Sequence, residues 1–138
     1  MDVREWTEDL SVGFTELDRQ HMYLFAQLNE LTNLTDDMPH GVQALNRMGD
    51  ALFDHFAAEE RYMAAMSYPG LNSHRMEHRM FARVFSKVMM RVHSHPSASS
   101  VRTAHETLGN WMVKHILETD VHLGRFLAEH LEKQPAAW

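Results

Sequence analysis

At 138 residues, with 44% hydrophobic and 23% charged side chains, the chain is long enough for one domain around one core and too apolar to be disordered. A formal net charge of −6 without a basic cluster argues against a nucleic-acid partner, and the lack of cysteine excludes disulfides, iron–sulfur ligation and a thiol nucleophile. No basic leader followed by an apolar stretch opens the sequence, and no run of about 18 apolar residues occurs, so a cytoplasmic protein that does not enter the membrane is expected.

Residues 1–15 read as an irregular arm, broken at Gly13 and anchored by Trp6 and Phe14. The first helix then carries Leu17, His21, Leu24, Leu28 and Leu31 at alternating steps of four and three, the seam of a bundle, and is expected to end near Asp36–Pro39. Pro39 suits the first turn of a second helix, where its missing N–H is not needed. The inward positions of that helix are Leu45, Met48, Leu52, His55, Glu59, Tyr62 or Met63, and Met66, and Tyr68-Pro69-Gly70 stops it. Asn72 or Ser73 is the expected cap of a third helix with the seam His74, His78, Phe81, Phe85, Val88 and Val92.

His95-Pro96-Ser97 breaks the chain again within its most polar connection. A fourth helical stretch from about Ser99 to about Glu132 turns Val101, Leu108, Met112, His115, Phe126 and Leu127 inward. Unbroken, it would be roughly 50 Å long, more than its partners, so a kink or break is expected in it. The tail over 133–138 reads as frayed. The fold class is all-α: a single domain over 1–138, an up-down-up-down four-helix bundle with an irregular N-terminal arm.

Eleven histidines stand out, and five of them lie on the apolar seams. His21 is on the first helix, His55 with Glu59 on the second, His74 with His78 on the third, and His115 on the fourth with Asp120 following. Pairs at i, i+4 leave one face of a helix together, so each pair can reach one ion. Burying five imidazoles and two carboxylates without compensation would be very costly, and bound metal is the simple remedy. Imidazole nitrogen with carboxylate oxygen suits iron, zinc, copper or nickel, and seven ligands are too many for one ion. Two metals bridged by the carboxylates are therefore expected. The remaining histidines, His40, His93, His95, His105, His122 and His130, read as surface residues.

In order, the motifs D-x-x-H (Asp18 to His21), H-F-x-x-E-E (His55 to Glu60), H-x-x-x-H (His74 to His78) and W-x-x-x-H-I-x-x-x-D (Trp111 to Asp120) resemble those of the bacterial hemerythrins. Trp6, Gly13 and Tyr68-Pro69 fit as well, and the resemblance runs from residue 6 to about residue 127. It implies a non-haem di-iron centre with an oxo or hydroxo bridge. One iron takes His74, His78 and His115, the other takes His21 and His55, and Glu59 and Asp120 span both. This leaves one coordination position open on the two-histidine iron. It further implies reversible binding of molecular oxygen there, for carriage, storage, supply or sensing, with no enzymatic role; a redox enzyme acting on peroxide or nitric oxide, or iron handling, is the alternative.

Leu24, Phe56, Met112 and Ile116 are the expected wall of the oxygen pocket, with Met112 exposed there to oxidation. Asp18 is placed either against a ligand imidazole or on the surface, Glu60 either outside a ligand or in solvent, and Trp111 in the core. Asp120 follows His115 by five residues, about 140° around a regular helix. For both to ligate, a π-type widening or a break is expected near 115–122.

Overall fold

In the computed structural model, which describes residues 5–34 and 38–132, the arm enters the bundle through a short 3-10 turn at Glu8–Leu10. Gly13 lies at φ +80°, the left-handed region that glycine enters without strain, and this turns the chain into helix α1, Thr15–Glu30. Asp18 holds the arm down: its carboxylate accepts from Ser11 Oγ at 2.6 Å and from the Val12 N–H at 2.9 Å. Asp18 therefore secures the N-terminus and orients no imidazole. Phe14 is buried edge-on against Tyr62, and Trp6 packs on the rim of the core.

A 3-10 turn at Leu31–Asn33 ends α1; the terminus expected near Asp36–Pro39 falls partly outside the described residues, as do the first four residues and the tail over 133–138. Helix α2 spans Met38–Ala65, with Pro39 in its first turn. It ends three residues before Tyr68, the start of the expected Tyr68-Pro69-Gly70 stop. Ser67 takes a positive φ of 54°, Tyr68 N–H donates to the Met63 carbonyl at 2.9 Å and Ser67 N–H to that of Ala64 at 3.4 Å, the paired closure that satisfies the last carbonyls of a helix.

Helix α3, Leu71–Ser94, starts from Gly70 with no side-chain cap, so neither Asn72 nor Ser73 caps it; both already lie inside its first turn. Helix α4, Ala98–His115, has a reciprocal cap in which Ser100 N–H donates to Ser97 Oγ at 3.0 Å and Ser97 N–H to Ser100 Oγ at 3.1 Å. The fourth stretch then continues without interruption through a π turn at Ile116–Asp120, helix α5 at Val121–Leu127 and a second π turn at Ala128–Glu132. Widened turns take the place of the expected break.

Each of α1 to α4 packs on the next, and the expected seams fill the space between them: Leu17, Leu28, Leu45, Met48, Leu52, Met63, Phe81, Leu108 and Leu127 are fully buried. Tyr62 stays half-buried, which decides that position of the α2 seam in favour of Met63. The arm closes one end of the bundle where Gly124 of α5 meets Val12, whose carbonyl and side chain occupy the space a Cβ would need. Gly124→Ala is expected to cost about 1–3 kcal/mol by forcing the arm outward, as overpacking does; urea unfolding measures it, and an unchanged midpoint would contradict this packing.

Candidate metal centre

Four helices and the first π turn bring the expected residues together. His21 comes from α1, His55 and Glu59 from α2, His74 and His78 from α3, His115 from the end of α4, and Asp120 from the last position of the π turn. All are buried, none more than 5% exposed. The widened turn brings Asp120 back towards His115 despite the five-residue spacing: Oδ1 of Asp120 is 3.0 Å from the Nε2 atoms of both His115 and His74, and Oδ2 is 3.0 Å from Nε2 of His21. Glu59 Oε1 lies 3.1 Å from Nε2 of His78 and 3.5 Å from those of His55 and His74.

These contacts form two overlapping sets. In Glu59, His74, His78 and His115, and again in His21, His55, Glu59 and Asp120, one donor atom from each residue lies within 4.8 Å of all the others. Glu59 belongs to both sets, and Asp120 reaches into both.

Most of these atoms are close without being hydrogen-bonded. Nε2 of His74 and His115, both oxygens of Asp120 and Oε2 of Glu59 are buried and have no hydrogen-bond partner among the described residues. Nε2 of His21 faces Nε2 of His55 at 3.2 Å. Buried polar atoms without partners are rare because each costs roughly 1–3 kcal/mol. Atoms that gather at contact distance yet point past one another share a common target, so the residues present fit a pair of cations.

The outward nitrogens of three imidazoles are fixed by partners on other helices. His55 Nδ1–H donates to Gln20 Oε1, His78 Nδ1–H to Glu60 Oε2 at 3.0 Å, and His115 Nδ1–H to Glu77 Oε1 at 2.9 Å. Each bond leaves the Nε2 lone pair aimed inward, the tautomer a metal needs. Glu60 is itself held by Arg75 Nε at 3.1 Å, and Glu77 accepts from Thr119 Oγ1 at 2.6 Å. Glu60 thus lies outside His78, one of the two places expected for it. Glu77, Gln20 and Thr119 escape a reading of the sequence, since their partners are 35 to 42 residues away.

Glu77 clamps two things at once, the His115 ring and the π turn that carries Asp120. Glu77→Ala is expected to weaken metal binding by roughly 10–100-fold with helix content unchanged, as the loss of such outer partners does. Competition with a chromophoric chelator reads the change, and unaltered affinity would remove the clamp from the account.

Two aromatic rings brace the same imidazoles. Phe56 stacks on His78 at 4.0 Å and Trp111 on His115 at 4.5 Å, each within 15° of parallel. Beside the cluster is a cavity of about 10 Å³, lined by Leu24, Phe56, Met112 and Ile116 together with His21, His55, Trp111, His115 and Asp120. All four side chains expected in a pocket wall are in it. Its size is near that of one water-sized molecule.

Charge is distributed unevenly among these groups. Burial, reinforced by neighbouring Asp120, pushes the Glu59 carboxyl well above its usual range. Burial works against Asp120 as well, but His115, His21 and His74 outweigh it and hold that carboxyl well below the usual range. Burial drives His55 far down and lowers His78 to about 4, against the pull of Glu60. His115 goes the other way, because Asp120 overcomes its burial.

With their ionisation lowered, His55 and His78 stay neutral at pH 7 and are ready to donate. Glu59, whose carboxyl burial holds towards the protonated form, must give up any proton it carries before it can bridge, and so must His115. Metal uptake near neutrality is therefore expected to release protons, and affinity to rise with pH. A pH-indicator titration with zinc in weakly buffered solution tests this; uptake without proton release would contradict a protonated Glu59.

One histidine outside the cluster departs from expectation. His105 is 1% exposed, not a surface residue, because it falls on the α4 stripe Val101, His105, Leu108, Met112, His115. His40, His93, His95, His122 and His130 are exposed, as expected.

A helical bundle whose four helices converge buried histidines and carboxylates is a cation-binding bundle by fold and by site. Comparison with known proteins makes this specific: residues 12–127 match the hemerythrin HHE cation binding domain. The chain belongs to the hemerythrin family. It is 31% identical to a myohemerythrin of Theromyzon tessulatum over 84% of this chain and 87% of that one. It is also 27% identical to a bacteriohemerythrin of Stenotrophomonas maltophilia, over the whole of this chain and 94% of that one. The fold likewise matches a crystal structure of wild-type hemerythrin, with a TM-score of 0.79 at 22% identity over 92% of this chain and 99% of that one. Among the described residues, no helix is long and apolar enough to cross a membrane.

Proposed function

We propose that this protein binds molecular oxygen reversibly at a pair of iron ions, as a carrier, store or source of oxygen rather than as an enzyme. His74, His78 and His115 hold one ion in this reading, His21 and His55 the other, and Glu59 and Asp120 span the two. The observation that carries it is the lopsided donor set with a cavity towards its poorer side: the cavity touches both His21 and His55 but only His115 of the three-histidine set. A pair of ferrous ions held there would supply an open coordination position and two electrons that oxygen can borrow and return.

The side chains behind the two donor sets support an exchange that stops at binding. Glu60 and Glu77 are ionised carboxylates behind His78 and His115, so they strengthen the donors of the three-histidine set. Behind His55 is the neutral amide of Gln20, and among the described residues no carboxylate backs His21, so the two-histidine set is the weaker donor and the better place for a ligand to come and go. Leu24, Phe56, Met112 and Ile116 give that place an apolar wall, which would slow the entry of water.

The absorption spectrum of anaerobically reduced, iron-loaded protein tests the reading. A visible charge-transfer band should appear with oxygen and disappear when oxygen is removed. A permanent change to the oxidised spectrum would point instead to redox turnover of peroxide or nitric oxide, or to iron handling.

A further inference from the structure

We propose that Met112 is a built-in oxidation site: hydrogen peroxide entering the cavity transfers one oxygen atom to its thioether, and the sulfoxide so formed closes the cavity. This rests on iron occupying the adjoining cluster, as proposed above: an iron ion there would hold and activate the peroxide beside Met112, as redox-inert zinc would not. Met112 is only 2% exposed, yet it forms part of the cavity wall beside His21, His55 and Asp120. Met22, Met76, Met80 and Met90 are 42% to 66% exposed on the outside of the bundle, and Met48 and Met63 are buried away from the cavity.

An oxidant acting from solvent attacks methionines in order of exposure, and Met112 would come near the end. An oxidant acting from within the cavity meets a different choice. Leu24, Leu52 and Ile116 have no atom that accepts oxygen, and the phenyl ring of Phe56 resists it. The Met112 sulfur, a soft and polarizable atom, is the readiest acceptor in the wall. In the transfer the peroxide O–O bond breaks and the S–O bond forms. Sulfur loses two electrons, and the second oxygen leaves with both protons as water.

The cavity, at about 10 Å³, has room for roughly one small molecule. An oxygen atom added to its wall takes up that room and makes an apolar surface polar. One event therefore ends ligand entry, and the reaction limits itself.

The test compares iron-loaded with zinc-loaded protein, each treated with a few equivalents of hydrogen peroxide, quenched and mapped by peptide mass spectrometry. Iron uptake is first verified by metal analysis. In the iron-loaded chain the gain of one oxygen atom should come first at Met112, ahead of Met76, Met80 and Met90; in the zinc-loaded chain that order should be reversed. Met112→Leu, which conserves volume, should lose the early oxygen gain and leave the later ones. If the exposed methionines gain oxygen first in both forms, or Trp111 takes the oxygen, the inference is overturned while oxygen binding stands. Failure to take up iron overturns both.

Discussion

Without bound metal, the protein is expected to melt on the order of 10–20 °C lower than when loaded with iron. A ligand present at about a thousand times its dissociation constant contributes about 4 kcal/mol to the folded state. For a chain of this size each kcal/mol shifts the midpoint by roughly 3–5 °C. The structural reason is the placement of the cluster. His21, His74, Glu59 and Asp120 are at most 1% exposed, midway along a seam otherwise filled by Leu17, Leu52 and Phe81. Without cations, five imidazoles and two carboxylates must share whatever protons remain, and several of their atoms are left without partners. Thermal melts of iron-loaded and chelator-treated protein, followed by circular dichroism, measure the difference. Coincident melts would mean that the cluster satisfies itself and that metal contributes nothing to the fold.

Asp120→Asn should have the largest effect of any single substitution in the cluster. Among the described residues Asp120 is the only carboxylate within 3.0 Å of His21, His74 and His115 together, and the surroundings hold its charge strongly. The amide keeps the shape but offers one oxygen where two are needed to span a pair of ions. The loss should exceed the roughly 10–100-fold cost of removing an outer partner such as Glu77, and bound metal should fall from a pair of ions per chain to one or none. Metal analysis after dialysis gives the stoichiometry, and far-ultraviolet circular dichroism checks that the helices persist. An intact pair of ions in the variant would show that Glu59 alone can bridge.

Much of this site is legible in the sequence because its residues lie on stripes. Four helices carry hydrophobic seams at steps of three and four, and a histidine at such a step is buried whether or not it has a role. The same rule explains His105, which obeys the periodicity and is buried for that reason. The π turn is legible too, as a conflict between a five-residue spacing and a helix of 3.6 residues per turn. Gln20 and Glu77 are not legible, since their importance depends on which helices become neighbours and at what height. Asp18 shows the opposite failure. It stands one turn before His21, where a supporting carboxylate is attractive, but Ser11 and the Val12 N–H claim it first.

The widened turn at Ile116–Asp120 also separates length from register in the last helix. A π turn holds one residue more than an α turn, and the surplus is absorbed on the outer side, where Leu117 and Glu118 are exposed. Leu123 and Leu127 beyond it still face the core, as they would in a chain one residue shorter. The helix thus has a place where a residue can be gained or lost without rotating everything downstream, and that place adjoins a carboxylate whose position has to be kept.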